Sequence, residues 1–164
     1  MNCNIIPLEE KYLADAIQIW NEVVDEGIAF PQEEDLTAET GPEFFASQSH
    51  CSVAVDAETG EVYGLYILHP NNVGRCKTLC NASYAVRSDL RGQHIGEQLV
   101  LASVDKAREL GFLVLQFNAV VETNIHAIHL YERLGFHELG RIPNGFRMKD
   151  GHFETIVLYY LELS

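Results

Sequence analysis

The sequence lacks any apolar run near the ~20 residues that a membrane-spanning helix needs, and its first residues lack a basic segment followed by an apolar stretch. Neither a spanning helix nor a secretory leader is expected, and the expected compartment is the cytoplasm. Positive charge is scarce. Eleven Lys and Arg stand against 24 Asp and Glu, a net charge of −13, which argues against nucleic-acid phosphates and anionic membrane surfaces as partners. Cysteine is sparse too: Cys3, Cys51, Cys76 and Cys80 include no CxxC pair. If Cys76 and Cys80 share a strand, they are about 13 Å apart, beyond the ~7 Å reach of a disulfide, so reduced thiols are expected. There is no internal repeat, no low-complexity tract and no Pro/Ser-rich linker. With 164 residues, where two domains of ordinary size need roughly 200, the expectation is a single domain over residues 1–164. Its 47% apolar content suffices for a core, since a chain of this length buries ~70% of its unfolded surface.

The charge that is present is unevenly spread. No Lys or Arg occurs between Lys11 and Arg75, whereas twelve carboxylates fall there, among them Glu22, Glu26, Glu33, Glu34 and Asp35. The N-terminal half is therefore expected to give negative potential to whatever it lines.

Hydrophobic period divides the chain into elements. Cys3 to Pro7 reads as a strand, and Leu13, Ile17, Trp20 and Val24 recur at helical spacing from Glu9 to about Asp25, with Gly27 as a stop. IAFPQEEDLT is a loop, and Gly41-Pro42 opens a short helix. CSVAVD and EVYGLYIL form a hairpin through AETG, followed by the strand TLCNASYAV. Ile95, Leu99, Ala102 and Ala107 mark a helix ending near Gly111, and FLVLQFNAVV suits a strand covered on both faces. Thr123 or Asn124 caps a further helix that turns Ala127, Tyr131 and Leu134 inward until Gly135. Strands near Phe136 to Met148 and His152 to Leu163 meet at KDG. This order predicts an α/β (α+β) fold: a mixed, mostly antiparallel sheet of six to seven strands with about four helices.

The most informative segment is SYAVRSDLRGQHIGEQLVLASVDKAREL, a strand that enters a turn and then a helix. The turn from Arg91 through Gly92, Gln93, His94 and Ile95 to Gly96 offers several backbone N–H groups at a helix start, where the helix dipole adds to their hold on an anion such as a pyrophosphate. Gly92 and Gly96 allow close approach, and Arg91 adds positive charge. About thirty residues on, Asn124, Ala127 and Tyr131 share one helix face in VETNIHAIHLYERLGF. Ala127 leaves room for a ligand arm, Asn124 can bond an amide of that arm, and Tyr131 places a hydroxyl further along. His126 and His129 fall on the exposed side, and no metal site is expected.

Together the two blocks resemble the GCN5-related N-acetyltransferases. Arg91, Gly92, Ile95 and Gly96 fit the family's acyl-CoA motif Q/R-x-x-G-x-G/A, and the second block is similar to its Asn-x-x-Ala-x-x-x-Tyr followed by Gly-Phe. His94 stands where the family usually has glycine, and is tolerated there only if its φ stays negative. The resemblance implies that acetyl-CoA is the co-substrate and that pantetheine lies along Tyr84, Ala85 and Val86 like an added strand. It implies that Tyr131 protonates the leaving thiolate. Many relatives carry a Glu in the central strand as base; here Asn81, Ser83 and Tyr84 occupy it, so Asn81 would position substrate or water. Glu33, Glu34 and Asp35 are alternative bases.

The expected function is acetyl transfer to a primary or secondary amine of a small molecule, in a ternary complex. GRIPNGFRMKDGHFETIVLYYLEL and the IAFPQEE loop look similar to phosphinothricin and proline-analogue acetyltransferases, which favours an amino-acid-like acceptor. Phe30, Glu33, Asn81 and Arg147 are then its candidate contacts. Arg147 is the favoured carboxylate clamp, with Arg75 and Asn144 also in play. Acetylation of protein N-termini or Lys side chains and a non-catalytic CoA-binding sensor are the alternatives. The sequence leaves the oligomeric state open, a homodimer included.

Overall fold

The computed structural model describes residues 2–164. Seven strands form one sheet in the order β1-β2-β3-β4-β5-β7-β6: β1 (Cys3–Pro7), β2 (His50–Asp56), β3 (Val62–Pro70), β4 (Leu79–Val86), β5 (Val114–Val121), β6 (His137–Arg147) and β7 (Phe153–Glu162). Every neighbouring pair is antiparallel except β4 and β5. The helices are α1 (Leu13–Glu26), α2 (Thr40–Ala46), α3 (Ile95–Glu109) and α4 (Ile125–Arg133). The architecture is the mixed, mostly antiparallel α/β sheet that the element order predicts.

Strand alternation sorts the core onto two faces. Val53, Val55, Leu65, Ile67 and Ala85 pack with Trp20, Phe30 and Phe45 from the α1–α2 side. Ala54, Tyr66, Leu68, Cys80 and Ala82 pack with Ile95, Leu99 and Val104 of α3, and α4 lays Ala127, Leu130 and Tyr131 on the same layer. α1 ends where Gly27 enters the left-handed region at φ +63°. It begins later than the periodicity predicts, because Glu10–Tyr12 forms a single 3-10 turn before it.

Two strand readings need correction. Cys76 lies in a 3-10 turn, Gly74–Cys76, ahead of β4, although all four cysteines are free as expected. β5 is not covered on both faces throughout: Leu115 and Phe117 are buried, but Asn118 is exposed and Leu113 lies outside the strand, 57% exposed. The gap in its cover coincides with the cleft described below.

The acidic half does not remain unbalanced in three dimensions. Arg87 pairs with Glu61 at 2.6 Å, Arg91 with Glu26 and Arg147 with Glu33, while the Ser88 N–H donates to Glu22 at 3.0 Å. Each contact joins a carboxylate of the Lys/Arg-free half to the later half of the chain. The loop after α1 is fastened from both sides: the Asn21 side chain bonds Leu36 N–H and C=O, both at 2.8 Å, and Lys149 donates through its backbone to Gly27 O and through Nζ to Asp25 O.

Candidate active site

The site begins with a defect in the sheet. β4 and β5 are registered only at Leu79–Val114 and Cys80–Leu115, after which they part. Which backbone groups face the gap follows from parity. Arg87 N–H donates to Tyr63 O on β3 at 2.9 Å, and Ala85 O sits 2.7 Å from where a Cβ on Gly64 of β3 would stand. Odd-numbered residues of β4 therefore direct their peptide groups at β3, and Ala82, Tyr84 and Val86 direct theirs into the gap. Of the residues expected along the ligand arm, Tyr84 and Val86 are turned to the gap. Ala85 is not, because its polar groups already face β3.

Opposite, β5 carries a bulge between Phe117 and Val120, a device that re-aims side chains beside a site. Asn81 closes the base of the gap by donating from Nδ2 to Gln116 O at 2.8 Å. Asn71 and Asn118 exchange two amide hydrogen bonds at 2.6 and 3.0 Å over the same opening.

The gap opens into a cleft of about 590 Å³ that passes through the sheet, from Phe30, Phe44 and Gln48 on the α1–α2 side to Asn124, Ala127 and Tyr131 on the α4 side. The cleft thus unites Phe30, Asn81, Tyr84, Asn124, Ala127 and Tyr131, six of the residues singled out from sequence. Among the described residues no carboxylate, Lys or Arg lines it. The titratable side chains in its wall are His69, Tyr84 and Tyr131. Tyr84 shares a hydrogen bond of 2.7 Å with Ser103 Oγ, and its hydroxyl is held on the α3 side. Tyr131 packs its ring against Phe117, with centroids 4.4 Å apart, and burial pushes its hydroxyl well above the usual tyrosine range. It holds its proton at neutral pH. His69 escaped the sequence reading because His69-Pro70 looks like the edge of a polar loop; in fact both residues belong to β3, with His69 directly opposite Asn81.

The turn between β4 and α3 has the backbone of an anion site. Gly92 has φ +82° and His94 φ +64°. His94 is the N-terminal cap of α3, so the first N–H groups of the helix are free of intrahelical partners. The expectation for His94 is overturned: a non-glycine residue keeps the glycine-like left-handed conformation, at a cost of roughly 1–2 kcal/mol. Its imidazole lies outward, 79% exposed, 3.5 Å from Glu97. Arg133 of α4 pairs with the same Glu97 at 2.8 Å and holds its carboxyl below the usual range. Gly96 is not needed by the fold, since an added Cβ would meet only Val86 Cγ2, at 3.9 Å. The positive charge of Arg91 is already paired, because Glu26 holds its guanidinium bidentately. Asn124 caps α4, its Oδ1 accepting from Ala127 N–H at 3.4 Å, which leaves its amide N–H groups for other partners.

A second pocket, of about 710 Å³, lies between the loop after α1 and the β6–β7 hairpin, and shares Phe30, Pro31 and Gln32 with the cleft. Asp25, Glu33, Arg147 and Lys149 line it. Glu33 and Arg147 are therefore together, but in this pocket and bonded to each other; Glu33 is not in the cleft where a base would act. Glu34, Asp35, Arg75 and Asn144 line neither cavity. Among the described residues no three His, Cys, Asp or Glu side chains form a cluster able to hold a metal ion, and His126 and His129 are exposed.

Residues 16–136 match the model of the acetyltransferase (GNAT) family. An N-acetyltransferase, aca1, from Schizosaccharomyces pombe is 28% identical over 93% of this chain and 81% of its own length. A GCN5-related N-acetyltransferase from Kribbella flavida superimposes with a TM-score of 0.89 at 29% identity, covering 98% of this chain and 97% of its own. A phosphinothricin acetyltransferase from Sinorhizobium meliloti, solved with acetyl-CoA, superimposes with a TM-score of 0.89 over 100% of this chain and 90% of its own. At 22% identity that last likeness is one of fold.

Proposed function

The chain belongs to the acetyltransferase (GNAT) family, and from that premise we propose that it transfers the acetyl group of acetyl-CoA directly to the amine of a small, amino-acid-like acceptor. The observation that carries the reading is the cleft that crosses the sheet at the parting of β4 and β5, beside a second pocket lined by both signs of charge that shares Phe30, Pro31 and Gln32 with it.

The residues divide the work by position. Backbone N–H groups from Gly92 to Gly96 receive the pyrophosphate, aided by the dipole of α3. Pantetheine amides bond the free peptide groups of Tyr84 and Val86, and Asn124 donates to the same arm over Ala127. The thioester then reaches the cleft beside Asn81. The acceptor nitrogen attacks the thioester carbon, the new C–N bond forms as C–S breaks, and Tyr131 delivers its proton to the departing sulfur. A hydroxyl that resists ionisation arrives protonated, as an acid must.

Small acceptors are favoured over protein termini because the second pocket is bounded by a loop fastened to the hairpin through Arg147–Glu33, Lys149–Asp25 and Lys149–Gly27. Its lining presents both signs of charge, as an amino acid does. An acceptor carboxylate would take over Arg147 from Glu33 as a charge-assisted contact, and Phe30 forms the passage to the cleft.

The test is thiol release from acetyl-CoA with L-amino acids, spermidine and an Ala-Ser-Ala peptide as acceptors. Turnover is expected with amino acids, with KM for them raised in Arg147→Ala. A preference for spermidine or the peptide, unaffected by Arg147→Ala, overturns the acceptor class. Acetyl-CoA binding without turnover of any amine returns the protein to a sensor role.

A further inference from the structure

We propose that His69 is the proton acceptor of the acetyl-transfer step, taking through Nε2 the proton that the acceptor amine must lose. The inference rests on the acetyl-transfer reading above and completes it, since no carboxylate lines the cleft.

Three observations converge. Position comes first: His69 is the antiparallel partner of Asn81, which places their Cα atoms about 5 Å apart. By strand alternation it shares the face of Leu65 and Ile67, on the α1–α2 side. That is the side from which the second pocket feeds the cleft, whereas Tyr131 stands on the α4 side. An amine entering by Phe30 meets His69 and Asn81 before it meets the thioester, so the two proton transfers are separated across the sheet: nitrogen loses its proton on one face and sulfur gains one on the other.

The second observation fixes the tautomer. His69 Nδ1 lies 3.1 Å from Pro70 O. A carbonyl oxygen can only accept, so Nδ1 carries the hydrogen and neutral His69 presents Nε2 as a lone pair. The third is elimination. Of the other titratable groups in the wall, Tyr84 is bonded to Ser103, and burial raises both Tyr84 and Tyr131 above their usual range, which suits acids and not bases. In the wall of the cleft that His69 shares, β4 presents Asn81, α2 and its exit present Phe44 and Gln48, the loop presents Phe30 and Gln32, and β5 presents Asn118. None of these is charged. His50 of the neighbouring strand lies on the opposite face, bonded to Ser52 Oγ at 2.8 Å.

In the step so assembled, the neutral amine adds to the thioester carbon, its nitrogen becomes cationic, and His69 Nε2 removes one proton as the C–S bond breaks. Tyr131 protonates the thiolate, and the imidazolium and phenolate return to their starting states through solvent.

The experiment is the pH profile of kcat/KM at saturating acetyl-CoA, with the best acceptor among the L-amino acids, spermidine and Ala-Ser-Ala, for the wild type, His69→Gln and His69→Gly. Calorimetric acetyl-CoA affinity reports folding and the cofactor mouth. The expected result is a fall of roughly 10²–10³-fold in His69→Gln, an acid limb shallower than the wild type's by one proton and left to the acceptor amine alone, unchanged acetyl-CoA affinity, and partial rescue of His69→Gly by added imidazole. If wild-type transfer is normal and both variants keep its acid limb and rate, the His69 assignment alone falls. If the wild type binds acetyl-CoA but acetylates none of these amines, the transfer reading falls and the assignment with it.

Discussion

The proposed acetyl transfer gives the cleft two mouths, one for the cofactor and one for the acceptor, and they are made of different material. The mouth at the start of α3 is built from backbone: a turn with two left-handed residues, the free N–H groups of a helix, and the outward peptide groups of Tyr84 and Val86. The mouth between the loop after α1 and the β6–β7 hairpin depends on side chains that reach more than a hundred residues along the chain, Arg147 to the Glu33 carboxylate and Lys149 to the main-chain carbonyl of Asp25. A backbone site demands only small residues and fixed spacing, and its chemistry is set by the conformation of one short segment. A side-chain site depends on which distant elements the topology brings together.

The largest effect expected is on the chemistry shared by both mouths. Tyr131→Phe keeps the ring packed against Phe117 and removes the proposed acid, so kcat should fall by about 10²-fold where chemistry limits, with acetyl-CoA affinity unchanged. Undiminished kcat under single-turnover conditions would remove Tyr131 from the mechanism. Next comes the backbone mouth. Gly96 has room for a Cβ in the fold, so Gly96→Val should fold, yet its side chain would stand over the N–H groups of the turn. Loss of one or two charge-assisted bonds, at 1.5–3 kcal/mol each, weakens acetyl-CoA by at least about tenfold in calorimetry. A folded Gly96→Val protein with wild-type affinity would put the pyrophosphate elsewhere.

Asn81 stands between the mouths, and its replacement tests whether the parting of the strands is a built feature. Asn81→Ala deletes the Nδ2 bond to Gln116 O and leaves that half-buried carbonyl without its partner, a cost of about 1–2 kcal/mol in denaturant unfolding. A variant as stable as the wild type would show that the bond does not hold the strands at the edge of the gap.

The contrast also explains what could be read from the sequence. The element order, the tight turn before α3 and the shared face of Asn124, Ala127 and Tyr131 were legible because each is local: a hydrophobic period, a glycine spacing, a cap. The N-terminal acidic field was misread for the opposite reason. Composition shows the carboxylates of residues 12–74 without basic neighbours, but the fold brings Arg87, Arg91 and Arg147 to Glu61, Glu26 and Glu33, and the cleft itself carries no carboxylate. His69 was missed because its importance comes from register with Asn81 and not from any motif. Ala85 was included wrongly because the resemblance names a stretch of strand, while only alternate residues of a strand face one edge.

The smallest effect expected is at His94, and it bears most directly on whether the cofactor mouth is purely a backbone site. His94 is held at φ +64°, where a side chain costs roughly 1–2 kcal/mol and glycine costs nothing sterically, although glycine gives back about 0.5–1 kcal/mol through the greater entropy of the unfolded chain. The imidazole is largely exposed and only 3.5 Å from a Glu97 carboxylate that Arg133 already pairs, so little is lost with it. His94→Gly should therefore be slightly more stable, by up to about 1 kcal/mol, which for a chain of this size raises Tm by about 2–4 °C. Acetyl-CoA affinity should be unchanged, because the turn keeps its conformation and its N–H groups. A fall in Tm would mean that the His94–Glu97–Arg133 contact outweighs the strained backbone. A rise in Tm with weaker acetyl-CoA binding would mean that the imidazole itself meets the cofactor, and that this mouth, too, depends on a side chain.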